Sequence, residues 1–137
     1  MAGISAFPLI TDTIQGAFGA DQSFEAGADI LAGQVVKLDS YGKLAVATTP
    51  ASDKIIGVAL YDIPNGSIGA VRVGGVTVCA NGDGSTGITA GAAVSAGTLG
   101  GVVAATTGAV LGIALEPIAG GATGKVMVSL GMNTEGA

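Results

Sequence analysis

The residues of this chain that could do chemistry are few. Ten carboxylates, five basic side chains, one cysteine and no histidine are spread over 137 residues. Without an imidazole the usual Ser–His and Cys–His nucleophile pairs cannot be assembled, and most zinc sites lose a ligand. Cys79 stands alone, so it forms no disulfide within the chain and reads as a small buried hydrophobe. As a nucleophile it would need a neighbouring base, and histidine is not there to supply it. The carboxylates fall in turns and near the termini. Asp62 and Glu116 come close in the frame of an internal repeat, where two carboxyls could serve a retaining glycosidase. Solvation of surface turns accounts for them better.

Three short motifs resemble ligand loops and fail on their spacing. "GDGSTG" (residues 82–87) matches G-x-G-x-x-G after a strand-like run. No helix pattern follows it, and no carboxylate lies about twenty residues on to hold a ribose. "NGDGST" offers alternate oxygens at Asn81, Asp83 and Ser85 but lacks the later glutamate of a calcium loop. "ATGKV" around Lys125 has Val126 where a phosphate loop needs Ser or Thr. No cofactor, no metal and no catalytic residue is therefore expected.

The elements that must hold these residues come in two copies. "IIGVALYDIPNGSIGAVRV" (residues 55–73) returns as "VLGIALEPIAGGATGKVMV" (residues 110–128). Upstream, "AGQVVKLDSYGKLAVATT" from Ala32 aligns on "AGAAVSAGTLGGVVAATT" from Ala90. Between these blocks "PASDKII" shortens to "GAVL". Apolar residues alternate over short runs: Val36 with Leu38, Leu44 with Val46, and Ile56, Val58 and Leu60 opposite Gly57 and Ala59. That period marks half-buried strands, and no helical period persists. Asp39–Gly42, Asn65–Gly66 and Asn81–Gly82 read as turns, the last two as hairpin signals. Gly57 and its counterpart inside strands suggest a bulge or a close backbone approach. The expected fold is all-β: eight to ten short strands in a small barrel or sandwich, built from two pseudo-repeated modules. The copies span about 32–80 and 90–131 within a β-domain of residues 25–137. Residues 1–24 stand apart as an extended N-terminal arm, rich in large apolar residues and without an echo in the repeat.

Charge narrows the partners. The net charge is -5, and charged residues are only 11% of the chain. Nucleic acid and anionic membranes call for clustered Lys and Arg, so neither is an expected partner. Residues 84–115 carry no charge and are long enough to span a bilayer. They are rich in Gly, Thr and Ser, however, and their first-copy counterpart carries Lys37, Asp39 and Lys43. The N-terminal segment lacks a positive region and carries Asp12, so no secretory signal is read.

The run "AGQVVKLDSYGKLAVATTPASDKIIGVALYD" followed by "GAVRVGGVTV" resembles the head decoration, or capsid cement, proteins of tailed phages and related viruses. In that family a G-x-x-V-x-L-D-x-x-G strand and turn leads to I-I-G-V-A and a valine strand. Gly33, Val36, Leu38, Asp39, Gly42, residues 55–59 and residues 71–78 carry the likeness, which covers about 27–131. The second copy departs from it, with Ala96 and Gly97 in place of the Leu–Asp pair. The resemblance implies a non-enzymatic virion protein, made in the host cytoplasm and seated on the outer face of the capsid. It would be a homotrimer there, and would stabilise the shell by bridging major capsid subunits. Ile4, Phe7, Pro8, Leu9, Ile10, Ile14 and Phe18 are the expected capsid contacts on the arm. Arg72 and Met127, at equivalent outward positions, are the expected self-association residues. The alternative class is a cell-surface or carbohydrate-binding β-module, which few aromatics and no secretory signal disfavour. A hydrolase built on Asp62 and Glu116 is the third.

Overall fold

The computed structural model describes residues 19–48, 54–105 and 110–129. Nine strands run β1 (Gly19–Glu25), β2 (Val35–Leu38), β3 (Leu44–Val46), β4 (Ile55–Ala59), β5 (Ile68–Ala80), β6 (Ala93–Ala96), β7 (Val102–Ala104), β8 (Gly112–Ala114) and β9 (Thr123–Ser129). One 3-10 turn, Thr98–Gly100, lies between β6 and β7. No helix is long and apolar enough to cross a membrane among these residues. All strand pairs are antiparallel, in the order β3-β2-β4-β5-β9-β8-β6-β7, with β1 beside β5.

That order is one motif used twice. β3-β2-β4-β5 and β7-β6-β8-β9 have the same connectivity, and the long β5 belongs to both halves. Its first part pairs with β1 and β4, its second with β9. Glu25 faces Ile68 as Ala80 faces Thr123, and Asp21 faces Arg72 as Val76 faces Met127. β1 is thus the first strand of module one, just as the second half of β5 is the first strand of module two. Each module curls until its ends meet. Ala26 bridges Leu44, where the Gly27 N–H donates to the Leu44 carbonyl at 2.9 Å. Asn81 bridges Val102, where the Gly82 N–H donates to the Val102 carbonyl at 2.7 Å. The expected barrel-like sheet of two pseudo-repeated modules is what forms.

The core follows the doubling. Module one buries Ala26, Ile30, Val36, Leu44, Ala59, Ile63 and Val71 together. Module two buries Ile88, Val94, Val102, Ala114, Ile118 and Val126 at the matching places. Val35, Ala47 and Val58 from module one join Cys79, Leu111 and Val128 from module two in the same cluster and close the junction. Full burial of each Val, Ile or Leu contributes about 1.5–3 kcal/mol, so two small aliphatic cores hold the fold without tryptophan.

Three local expectations change. β4 does not alternate: Gly57, Val58 and Ala59 are all buried, because the strand lies between its module's core and the junction. Asn81–Gly82 is not a hairpin, since β5 and β6 are not paired. Instead Asn81 sits at the place of Ala26 and holds a longer loop. Its side-chain amide donates to the carbonyls of Thr86 (2.9 Å) and Ile118 (3.0 Å), and its Oδ1 accepts from the Asp83 N–H (2.8 Å). Lastly, the segment drawn as an arm to residue 24 enters the sheet at Gly19. A sequence of Gly, Asp, Gln and Ser conceals β1, because among the described residues only one edge of it is paired and most of its side chains face solvent.

Candidate functional site

Five of the described carboxylates fasten loops. Asp39 Oδ1 accepts from the Tyr41 N–H at 2.8 Å and the Lys43 N–H at 3.0 Å, fixing the β2–β3 turn. Those two backbone donors hold the carboxyl below its ordinary pKa. Asp83 is held low in the same way, by the N–H groups of Ser85 and Thr86 and the Ser85 hydroxyl. Asp29 accepts from the Asn65 N–H at 2.9 Å. Asp62 accepts from the Ala32 N–H and Glu116 from the Lys125 N–H, each at 2.8 Å. Asp62 and Glu116 therefore each serve a separate loop rather than a shared substrate position. Cys79 is 1% exposed, and burial pushes its thiol up to about 12. It is a protonated core residue, as its solitary place in a strand suggested.

Arg72 and Met127 occupy equivalent positions, but their side chains do different things. Arg72 reaches over the bulge at Ala20–Asp21 and pairs with Asp21 through Nε (2.9 Å) and Nη2 (3.2 Å). Its Nη1 donates to the Val76 carbonyl at 2.8 Å. The bond to Asp21 raises the guanidinium pKa further, against partial desolvation. Met127, on β9, has no such partner strand side chain and is 42% exposed. Of the seven arm residues, Ile4, Phe7, Pro8, Leu9, Ile10, Ile14 and Phe18, all lie outside the described residues.

Sequence reasoning missed a groove at the module junction. Residues 31–34, 78–80 and 99–101, with Thr123, line a mostly apolar cleft of about 400 Å³. Leu31, Val78 and Leu99 are 58%, 51% and 80% exposed there. Gln34 Nε2 donates to the Leu99 carbonyl at 2.8 Å and ties the two sides together. The repeat held a faint signal: Leu99 stands where the first copy has Tyr41, at the tip of the same turn. Only the fold shows that one of these tips borders a cleft.

A doubled β-sheet with Asp29, Asp39, Asp62, Asp83 and Glu116 committed to loops, its thiol buried and apolar side chains at the surface has the make-up of a binding scaffold. The family model of the phage cement proteins matches residues 13–130, which takes in both modules. The chain belongs to the phage cement protein family. A cement protein is a structural component associated with the phage capsid, and that is where this one sits. Among solved structures it is similar to the N base of head fiber gp8.5 of bacteriophage phi29, with a TM-score of 0.59 and 18% identity. The likeness covers 80% of this chain and 93% of that one, and it is a likeness of fold. No curated protein matches the chain.

Proposed function

We propose that this cement protein binds the outer face of the assembled capsid and stabilises it by bridging neighbouring major capsid subunits. The cement-family match across both modules carries the reading. The rigid, closed modules support it, because a clamp must not deform under the load it transmits. In this account residues 4–18 form the reaching element, with Phe7, Leu9 and Ile10 as apolar anchors, and the β-modules form the body. Copies associate on the lattice, as trimers, so modest single contacts add through avidity. Arg72 and Met127 remain candidates for contacts between copies. Arg72 would act there with its pair to Asp21 intact.

The test uses purified protein and empty expanded capsids. A chain lacking residues 1–18 should keep its folded circular-dichroism spectrum and lose co-sedimentation with shells. Unimpaired co-sedimentation of that variant would remove the arm from the account.

A further inference from the structure

The junction between the modules uses a face that module two also possesses. In module one, Val35 on β2 stands opposite Val58 on β4, and Val58 opposite Arg72 on β5. Paired residues share a face, and this one points away from the module's own core of Val36, Ala59 and Val71. Val35 and Val58 are nevertheless fully buried, because they pack into the cluster of module two. In module two the same row is Ala93, Ile113 and Met127, across β6, β8 and β9. Here Ala93 and Ile113 are half-buried and Met127 is exposed. Leu115, the counterpart of half-buried Leu60, is exposed as well. The solvent side of an antiparallel sheet ordinarily carries polar residues, and this one carries alanine, isoleucine, leucine and methionine.

The mating surface recurs too. Module two meets module one through Cys79, Leu111 and Val128, all buried, and through the tip of its β6–β7 turn. At that tip the Leu99 carbonyl accepts from Gln34 Nε2, and a Cβ on Gly100 would lie 3.1 Å from the Gln34 Cβ. The counterparts in module one are Phe24, Ile56 and Val73, all half-buried, and the tip at Tyr41 and Gly42, which is exposed. Each half of the internal junction therefore occurs a second time, more exposed, on the other module.

We propose that copies of this chain join head to tail, repeating the internal junction between molecules. The face of Ala93, Ile113 and Met127 on one copy receives the Tyr41 tip and the Ile56 and Val73 surface of the next. The page of the fold that shows what covers such a face is module one, where a second module covers it, so the occupant is another copy. Met127 suits the role, because a flexible apolar side chain adapts to a partner. Arg72, at the same place in module one, is instead held by Asp21. The contact is heterologous, and three copies joined this way form a ring when the rotation closes. This gives surfaces to the association of copies proposed above and rests on that reading, but it does not rest on capsid binding.

Sedimentation equilibrium and cysteine trapping of the free, full-length protein test it. The chain should associate as its concentration rises toward about 1 mM. Met127→Asp should weaken that association about tenfold or more, Met127→Leu should keep it, and both should retain the circular-dichroism spectrum. For trapping, Gly42→Cys and Ala92→Cys are made separately, at the counterparts of Gly100 and Gln34, whose Cβ positions lie close enough for a disulfide. Mixed under mild oxidation, the two variants should give a linked heterodimer, while either alone stays unlinked. Cys79 is buried and takes no part. A chain that stays monomeric throughout overturns the association itself. A chain that associates yet gives no heterodimer, or in which Ala92→Cys links to itself as readily, overturns the head-to-tail arrangement alone.

Discussion

At the residue scale the chain uses polar groups as fasteners. Asp39 is exposed and Asp83 half-buried, and backbone donors hold both below the ordinary aspartate pKa of about 3.9. A carboxyl depressed in the folded state adds stability above that value and loses it as pH falls toward the folded value. The folded chain should therefore weaken progressively below about pH 4. Asp39→Asn and Asp83→Asn should each make that acid limb shallower, as read from urea midpoints between pH 5 and 2. An unchanged slope in both variants would show that these turns are not coupled to protonation. Some of this was legible: "DSYG" announces an Asp-capped turn. The role of Asn81 was not, because its hairpin dipeptide is common while two of its three carbonyl partners, Ile118 and Ala119, come from a distant part of the chain.

At the element scale the repeat declared the strands, and it did so through matching glycines as much as through valines. Gly57 and Gly112 fall at the same step of β4 and β8. A Cβ at Gly57 would overlap the Arg72 carbonyl oxygen, and one at Gly112 that of Met127. Each strand must therefore cross its neighbour closely, which only glycine permits. Gly57→Ala and Gly112→Ala should each destabilise by about 2–4 kcal/mol in chemical denaturation. Gly84→Ala, where nothing lies within 4 Å of the added atom, should change stability by less than about 0.5 kcal/mol. Equal effects at all three positions would dismiss the close-crossing account. The first strand escaped the sequence because its kinship with the second half of β5 is one of place. "GADQSFE" and "GGVTVCA" make matching ladders apart from the bulge at Ala20–Asp21, but one is a solvent-facing end and the other lies against a second module. Residue types follow exposure, so the echo is lost where exposure differs. The junction groove escaped for the related reason that it exists only between modules.

At the scale of the whole molecule, two cores and a shared long strand make one stiff body. β5 runs through both modules, so neither can rotate without breaking the ladders to β1, β4 or β9. Such a body suits the proposed bridging of capsid subunits. Binding that favours the assembled shell over its free subunits must stabilise the shell by mass action. The β-class and the doubling were legible from alternation and internal alignment. The capsid role came from resemblance and then from the family match, since surface chemistry of this kind names no partner by itself.

The most direct measurement is the melting temperature of empty expanded capsids titrated with this protein, alongside its affinity for unassembled major capsid subunits. The account predicts that shell melting rises with occupancy and saturates, while free subunits bind far more weakly. Shells that melt at the same temperature at full occupancy, or equal affinity for free and assembled subunits, would contradict it.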